Sequence, residues 1–188
     1  MRTFLIILSL YLSGCSALSE FTIGGVRPGA ITENISSVGK EITLKPAWLS
    51  QGNSDIKLGL YKNLRMERDD VVLIVVVRGA HFYLDKRSLE VMIDGEKFSF
   101  DPVDITDVET SAQVASYTYF SDADEVSQRY LTKKGFIRKL IDARDARVRV
   151  NRPHGFVEGP FSDDDPKLPS ARFAFKEFYK KAWEQNAK

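Results

Sequence analysis

From about residue 40 onward the apolar positions of this chain recur mostly in alternation, the period of a strand with one face buried and one face wet. "EITLK" reads this way, and so does "IKLGLY", with Ile56, Leu58 and Leu60 on one side and Lys57 on the other. "VVLIVVVRG" departs from the pattern, being apolar at every position from Val71 to Val77 and rich in β-branched residues. It is far shorter than the roughly 20 residues of a membrane-spanning helix, so it predicts a central strand covered on both sides. Ile74 and Val75 then point to opposite faces, and neither reaches solvent. In "SLEVMIDGEKFSF" Leu89, Val91 and Ile93 alternate, and the chain returns through Phe98 and Phe100 after Asp94-Gly95. That pair suits a type I′ hairpin turn, whose two central residues both need positive φ. "AQVASYTYF" reads as one further strand.

In the second half the period lengthens in two places. Thr132 is placed to cap a helix through "KKGFIRKLIDARD", in which Phe136, Ile137, Leu140 and Ile141 form one apolar stripe. "ARVRVNR" alternates again, and "GFVEGPF" is its partner strand across a turn at Pro153-His154-Gly155. The last segment, "SARFAFKEFYKKAWEQ", has a cap at Ser170 and sets Ala171, Ala174, Phe175, Phe178 and Ala182 on one helix face. Left in water that aromatic face would be a large exposed patch, so the helix is expected to dock on the domain. Strands followed by strands mixed with helices give an α+β fold: a mainly antiparallel, sandwich-like β domain with two helices in the C-terminal half.

The N-terminus follows a different pattern. Arg2 precedes an apolar run from Phe4 to Leu12, and small residues follow. This is the layout of a secretory signal, and the run is too short to cross a bilayer. The chain's single cysteine, Cys15, comes directly after it. Leu12, Ser13, Gly14 and Cys15 resemble the lipobox of bacterial lipoproteins. The resemblance is confined to about the first 16 residues, and it implies cleavage before Cys15 and a diacylglyceryl group on its sulfur. Residues 1–14 would then be a signal peptide, and the protein would be held at a membrane of the bacterial cell envelope by its acyl chains. Each buried methylene contributes about 0.8 kcal/mol, so two or three chains make a durable anchor. In Gram-negative lipoproteins a serine after the cysteine, here Ser16, implies sorting to the outer membrane, facing the periplasm. The competing reading is a lone buried cysteine in a hydrophobic N-terminal helix.

Residues 15–39, "CSALSEFTIGGVRPGAITENISSVG", are rich in Gly, Ser, Thr and Asn and read as the lipidated end and a flexible tether reaching roughly 25 to 30 Å. The alternative is a first strand through Phe21, Ile23 and Val26. Residues 40–188 form a single β-rich globular domain, a length suited to one core rather than two.

Charge narrows the choice of partner. With 27 Lys and Arg against 26 Asp and Glu the chain carries a formal +1. Loss of residues 1–14 removes Arg2 and no acid, which leaves the mature chain neutral. Neutral balance argues against binding a polyanion through bulk charge, and nucleic acid is not an expected partner. The basic residues nevertheless gather between Arg138 and Arg152. Arg147 and Arg149 share one strand face opposite Val148 and Val150, with Lys139 and Arg144 close in sequence. Arg144, Arg147 and Arg149 are therefore the candidate residues for binding a partner or an anion such as an envelope phosphate. The other reading, which the neutral balance favours, is an ordinary exposed face on which cross-strand acids pair with these arginines.

Other chemistries lack their parts. A structural zinc site takes four Cys or His ligands, and once Cys15 is acylated only His81 and His154 remain, with a spacing that does not join them. There is no G-x-S-x-G elbow and no phosphate loop ending in Lys-Ser or Lys-Thr. The acids of "SDADE" (Asp122, Asp124, Glu125) and "SDDDP" (Asp163, Asp164, Asp165) lack the spacing of a calcium loop and read as solvated loop residues; a weak calcium site or a glycosidase-like pair are the alternatives. Aromatics in "GAHFYL" and "SYTYF" are strand residues or, alternatively, the lining of a small-ligand cavity. No catalytic residue, metal or cofactor is assigned. The expectation is an envelope lipoprotein that binds another protein as an accessory or assembly factor rather than an enzyme. A binding module for a lipid, glycan or small ligand is the alternative, and a hydrolase comes third.

Overall fold

The computed structural model describes residues 28–36, 39–50, 55–78, 88–103, 125–152, 155–163 and 170–184. Among these residues nine strands lie in two antiparallel sheets: β1 (Ile31–Ser36), β2 (Gly39–Trp48), β3 (Ile56–Asn63), β4 (Asp70–Arg78), β5 (Leu89–Ile93), β6 (Glu96–Phe100), β7 (Glu125–Lys133), β8 (Ala146–Arg152) and β9 (Gly155–Pro160). The larger sheet runs in the order β1-β2-β3-β4-β7 and the smaller in the order β6-β5-β8-β9. The two helices among the described residues, α1 (Lys134–Asp142) and α2 (Ala171–Tyr179), both belong to the C-terminal half. The fold is α+β and sandwich-like.

Alternation assigns the faces. Leu58 and Leu60 of β3, Val71, Leu73, Val75 and Val77 of β4, Leu89, Val91 and Ile93 of β5, and Val148 and Val150 of β8 join one continuous core with the buried faces of both helices. β4 lies between β3 and β7 and is buried on both sides. Ile74 is 8% exposed and Val75 0%, so the central-strand reading holds. The even-numbered face of β4, Val72, Ile74 and Val76, packs with Tyr61 and Met66 in a second apolar cluster.

The pairing of β2 with β3 shifts register between Leu44 and Ala47, where Pro46 interrupts the ladder because it has no N–H to donate. Gly59 lies opposite this irregularity. A Cβ there would stand 2.7 Å from the Leu44 carbonyl oxygen and 3.1 Å from Pro46, so the close approach requires glycine. At the β5–β6 turn Asp94 and Gly95 adopt φ of 47° and 86°, as the type I′ reading requires.

Three expectations need correction or completion. Ile31–Ser36, assigned to the tether by composition, form β1, which pairs along its whole length with β2. The sheet supplies hydrogen-bond partners that local composition does not reveal. Thr132 does not cap α1, because it is still within β7 and pairs with Val71. The cap position is Lys133, without a side-chain bond, and the N–H of Lys134 instead donates to the Asp69 carbonyl at 2.6 Å. α2 does have its expected cap, Ser170 Oγ accepting from the Phe173 N–H at 3.2 Å. After Tyr179 it widens into a π-helical turn, Lys180–Glu184, from which Trp183 Nε1 donates to the Arg68 carbonyl at 3.1 Å.

The apolar stripe of α2 is buried at Ala171, Ala174, Phe175 and Phe178, and the helix packs on β2, β3 and α1. Arg172 secures it by donating to the carbonyls of Ile141 and Ala143, at the C-terminal end of α1. The expected strand in "AQVASYTYF" lies outside the described residues, as do residues 1–27.

Candidate partner-binding face

β8 is an inner strand of the smaller sheet, and its alternation sends Ala146, Val148 and Val150 into the core. Arg147 and Arg149 therefore stand together on the outer face. Register gives each its neighbours: Arg147 lies between Met92 of β5 and Pro160 of β9, and Arg149 lies between Glu90 and Glu158. One strand further out, Met92 faces Lys97 and Glu90 faces Ser99 on β6.

The charges on this face are tied in a ladder. Glu158 accepts from Arg149 Nε at 2.7 Å and from Arg147 Nη1 at 3.4 Å. Glu90 lies 2.8 Å from Lys97. Hydrogen bonding from Arg149 holds the Glu158 carboxyl below its ordinary pKa against an opposing effect of burial, with Arg147 adding to the shift. Glu90 is likewise held low, first by its bond from Lys97. The Arg149 guanidinium also lies 4.0 Å from the centroid of Phe156, a β9 side chain that is 55% exposed. Arg149 is thus fixed from two sides. These are the cross-strand acids that the alternation of β8 calls for.

Arg144 is not part of this ladder. It belongs to the turn between α1 and β8, where its backbone N–H donates to Asp94 Oδ1 at 3.0 Å, beside a second such bond of 2.9 Å from the N–H of Asp145. Lys139 pairs with Glu96 and lies 4.8 Å from the Phe98 ring centroid.

Other candidate groups resolve into ties of the fold or lie outside the described residues. Glu125 accepts from Lys57 at 2.6 Å and has Arg78 at 3.8 Å, and both cations lie against Trp48. Asp163 accepts from Ser170 Oγ at 2.9 Å and from Lys176 at 2.6 Å. Burial would raise the Asp163 pKa, but the bonds from Lys176 and Ser170 outweigh it and hold the pKa low. Cys15, His81, His154, Asp122, Asp124, Asp164 and Asp165 are outside the described residues. Among the described residues no group of three His, Cys, Asp or Glu could hold a metal ion, and no helix is long and apolar enough to cross a membrane.

Two buried polar features escape the pattern-based reading. Lys62 continues the face of Leu58 and Leu60, yet it is buried, donating to the carbonyls of Asp70 at 2.8 Å and Glu67 at 3.2 Å beneath the Trp183 ring. Burial pushes its pKa down. The second feature is a triangle of Ser88, Gln128 and Tyr130, all buried. At Lys62 and Gln128 the sequence signal was a polar residue at a position whose parity belongs to the core, whereas Ser88 stands just ahead of β5 at the parity of its outer residues Glu90 and Met92. No protein-family model matches this chain, and neither does any curated protein or solved structure.

Proposed function

We propose that this protein is a membrane-anchored lipoprotein of the bacterial cell envelope that binds another envelope protein as an accessory or assembly factor. The observation that carries the reading is the stretch Leu12-Ser13-Gly14-Cys15, in which the single cysteine follows a short basic and apolar leader. Acylation at Cys15 tethers the domain through the residues ahead of β1 and leaves the sandwich free to meet a partner at one side of the membrane. The protein-binding half of the reading is supported by the outer face of the smaller sheet, where Arg147, Arg149 and Phe156 are held in a fixed arrangement.

Mass spectrometry of native protein tests the anchor. A mature chain that begins at an acylated Cys15 is the expected result, and a free thiol or a retained leader removes the reading. Crosslinking in living cells tests the second half. A specific envelope protein should be captured by the unaltered chain and lost from the Arg147→Glu, Arg149→Glu double variant while the fold is retained.

A further inference from the structure

We propose that the outer face of the smaller sheet receives an acidic protein segment in extended conformation, its carboxylates at alternate residues seated on Arg147 and Arg149. The proposal rests on the protein-binding reading above and names the chemistry of the partner.

The paired charges described on the face are unequal in number. Lys97, Arg147 and Arg149 stand there against Glu90 and Glu158, with Glu90 engaged by Lys97 and Glu158 shared by the two arginines. Over these five side chains of the described residues the cations outnumber the acids by one. Arg147 reaches Glu158 through one nitrogen at 3.4 Å, and its side chain is 56% exposed. A guanidinium has five N–H donors in a planar fork, so this one keeps the capacity to grip a further carboxylate through two bonds. Arg149 is already immobilised between Glu158 and Phe156, which lowers the entropy that binding would cost.

Spacing favours an extended partner. Arg147 and Arg149 are alternate residues of one strand, so they are spaced by about 6.7 Å, two steps of strand rise. An extended peptide carries its side chains i and i+2 at the same interval, and acids at those positions would meet one guanidinium each. Phe156, and Met92 at 39% exposure, offer apolar contact on either side of the arginine pair. Arginine with exposed aromatic and methionine side chains is the composition of interface hot spots.

The test uses the full chain extracted from membranes, with fluorescence anisotropy of two labelled eight-residue peptides at low salt, one alternating Glu and Thr and the other Gln and Thr. The Glu peptide is expected to bind saturably and about tenfold or more tighter than the Gln peptide. The Arg147→Glu, Arg149→Glu variant should lose this binding while its fold, read by circular dichroism, is retained. Glu158→Gln, which removes the carboxylate that competes for both guanidiniums, should bind the Glu peptide more tightly, a gain that a merely structural ladder would not produce. Equal binding of the two peptides, or retained binding by the charge-reversed variant, overturns the proposal. So does sedimentation of the Cys15→Ser protein with phosphatidylglycerol vesicles that depends on Arg147 and Arg149 when the Glu peptide does not bind, a result that assigns the face to lipid phosphate. Cys15→Ser also separates the two readings, since it abolishes membrane retention if the anchor is real and leaves peptide binding unchanged.

Discussion

The hydroxyl of Tyr130 donates a 2.5 Å hydrogen bond to Oε1 of Gln128, two residues earlier on the same face of β7, and both side chains are closed off from water. Ser88, immediately ahead of β5, completes the triangle at 2.8 Å from the Tyr130 oxygen and 3.2 Å from Gln128 Oε1. The larger sheet is thereby tied to the smaller by buried hydrogen bonds as well as by apolar contact. Such a tie fixes how the sheets face each other, because a slipped arrangement would leave buried polar groups unpaired.

This triangle predicts an alkaline instability. Burial pushes Tyr130 up to about 12 from 10.0, with the Ser88 bond acting in the opposite direction. The unfolded chain therefore releases the phenolic proton near pH 10, while the folded chain keeps it. The stabilisation is whole below pH 10 and is lost as the pH rises through 12, by about 3 kcal/mol over those two pH units. Urea unfolding at a series of alkaline pH values should show this fall, and Tyr130→Phe should remove it. Lys62 acts with the opposite sign, since burial lowers its pKa and the folded state gives up that proton first. Comparison with Tyr130→Phe isolates the tyrosine.

Two glycine-to-alanine changes should differ in sign. At Gly59 the added methyl group meets the Leu44 carbonyl and Pro46, neither of which can swing aside, and a loss of about 1–3 kcal/mol is expected. At Gly135, in the first turn of α1, a Cβ meets nothing within 4 Å. Gly135→Ala should stabilise by about 0.4–1 kcal/mol through the lowered entropy of the unfolded chain. Thermal melts of the two variants measure the contrast.

Docking of α2 can be tested on the helix itself. Phe175 is fully buried and stacks edge-on against Phe161 with ring centroids 5.3 Å apart, while Phe173, two residues earlier, is exposed. Phe175→Ala should cost about 3–5 kcal/mol in urea unfolding, and Phe173→Ala less than about 0.5. Similar small losses at both positions would mean that α2 is a free arm.

The β5–β6 turn carries a further prediction. Gly95 has φ of 86° and Asp94 holds the N–H groups of Arg144 and Asp145 through one carboxylate oxygen. Gly95→Val should destabilise by about 1–2 kcal/mol through the left-handed backbone it must adopt. Asp94→Asn keeps an acceptor oxygen and tolerates the same φ, so its melting temperature should stay close to that of the unaltered protein.

Much of the fold could be read from short-range pattern. Alternation was sufficient for β3, β5 and β8, the unbroken apolar run Val71–Val77 for β4, and the Asp94-Gly95 pair for its turn. The placement of Arg147 and Arg149 on one outer face followed from the same parity. Their shared acid did not, because Glu158 becomes their neighbour only once β9 has a register against β8. β1 was hidden for a related reason. "ITENIS" has few apolar residues, and it is a strand because β2 offers it a ladder and Lys181, far along the chain, pairs with Glu33 at 2.7 Å.

By itself, then, the sequence determined the periods and faces of β3, β4, β5 and β8, the Asp94-Gly95 turn and the Ser170 cap, since these depend on residues a few positions apart. Only the tertiary structure decided the strand order, the burial of Lys62, the capping of α1 by the Asp69 carbonyl and the sharing of Glu158 by two arginines. Each of those depends on segments distant in the chain meeting in space, as Trp183 meets Arg68 across 115 positions. Local preference carries no information about such meetings. They are chosen by the joint burial of apolar faces and by the need to satisfy every polar group that this burial removes from water.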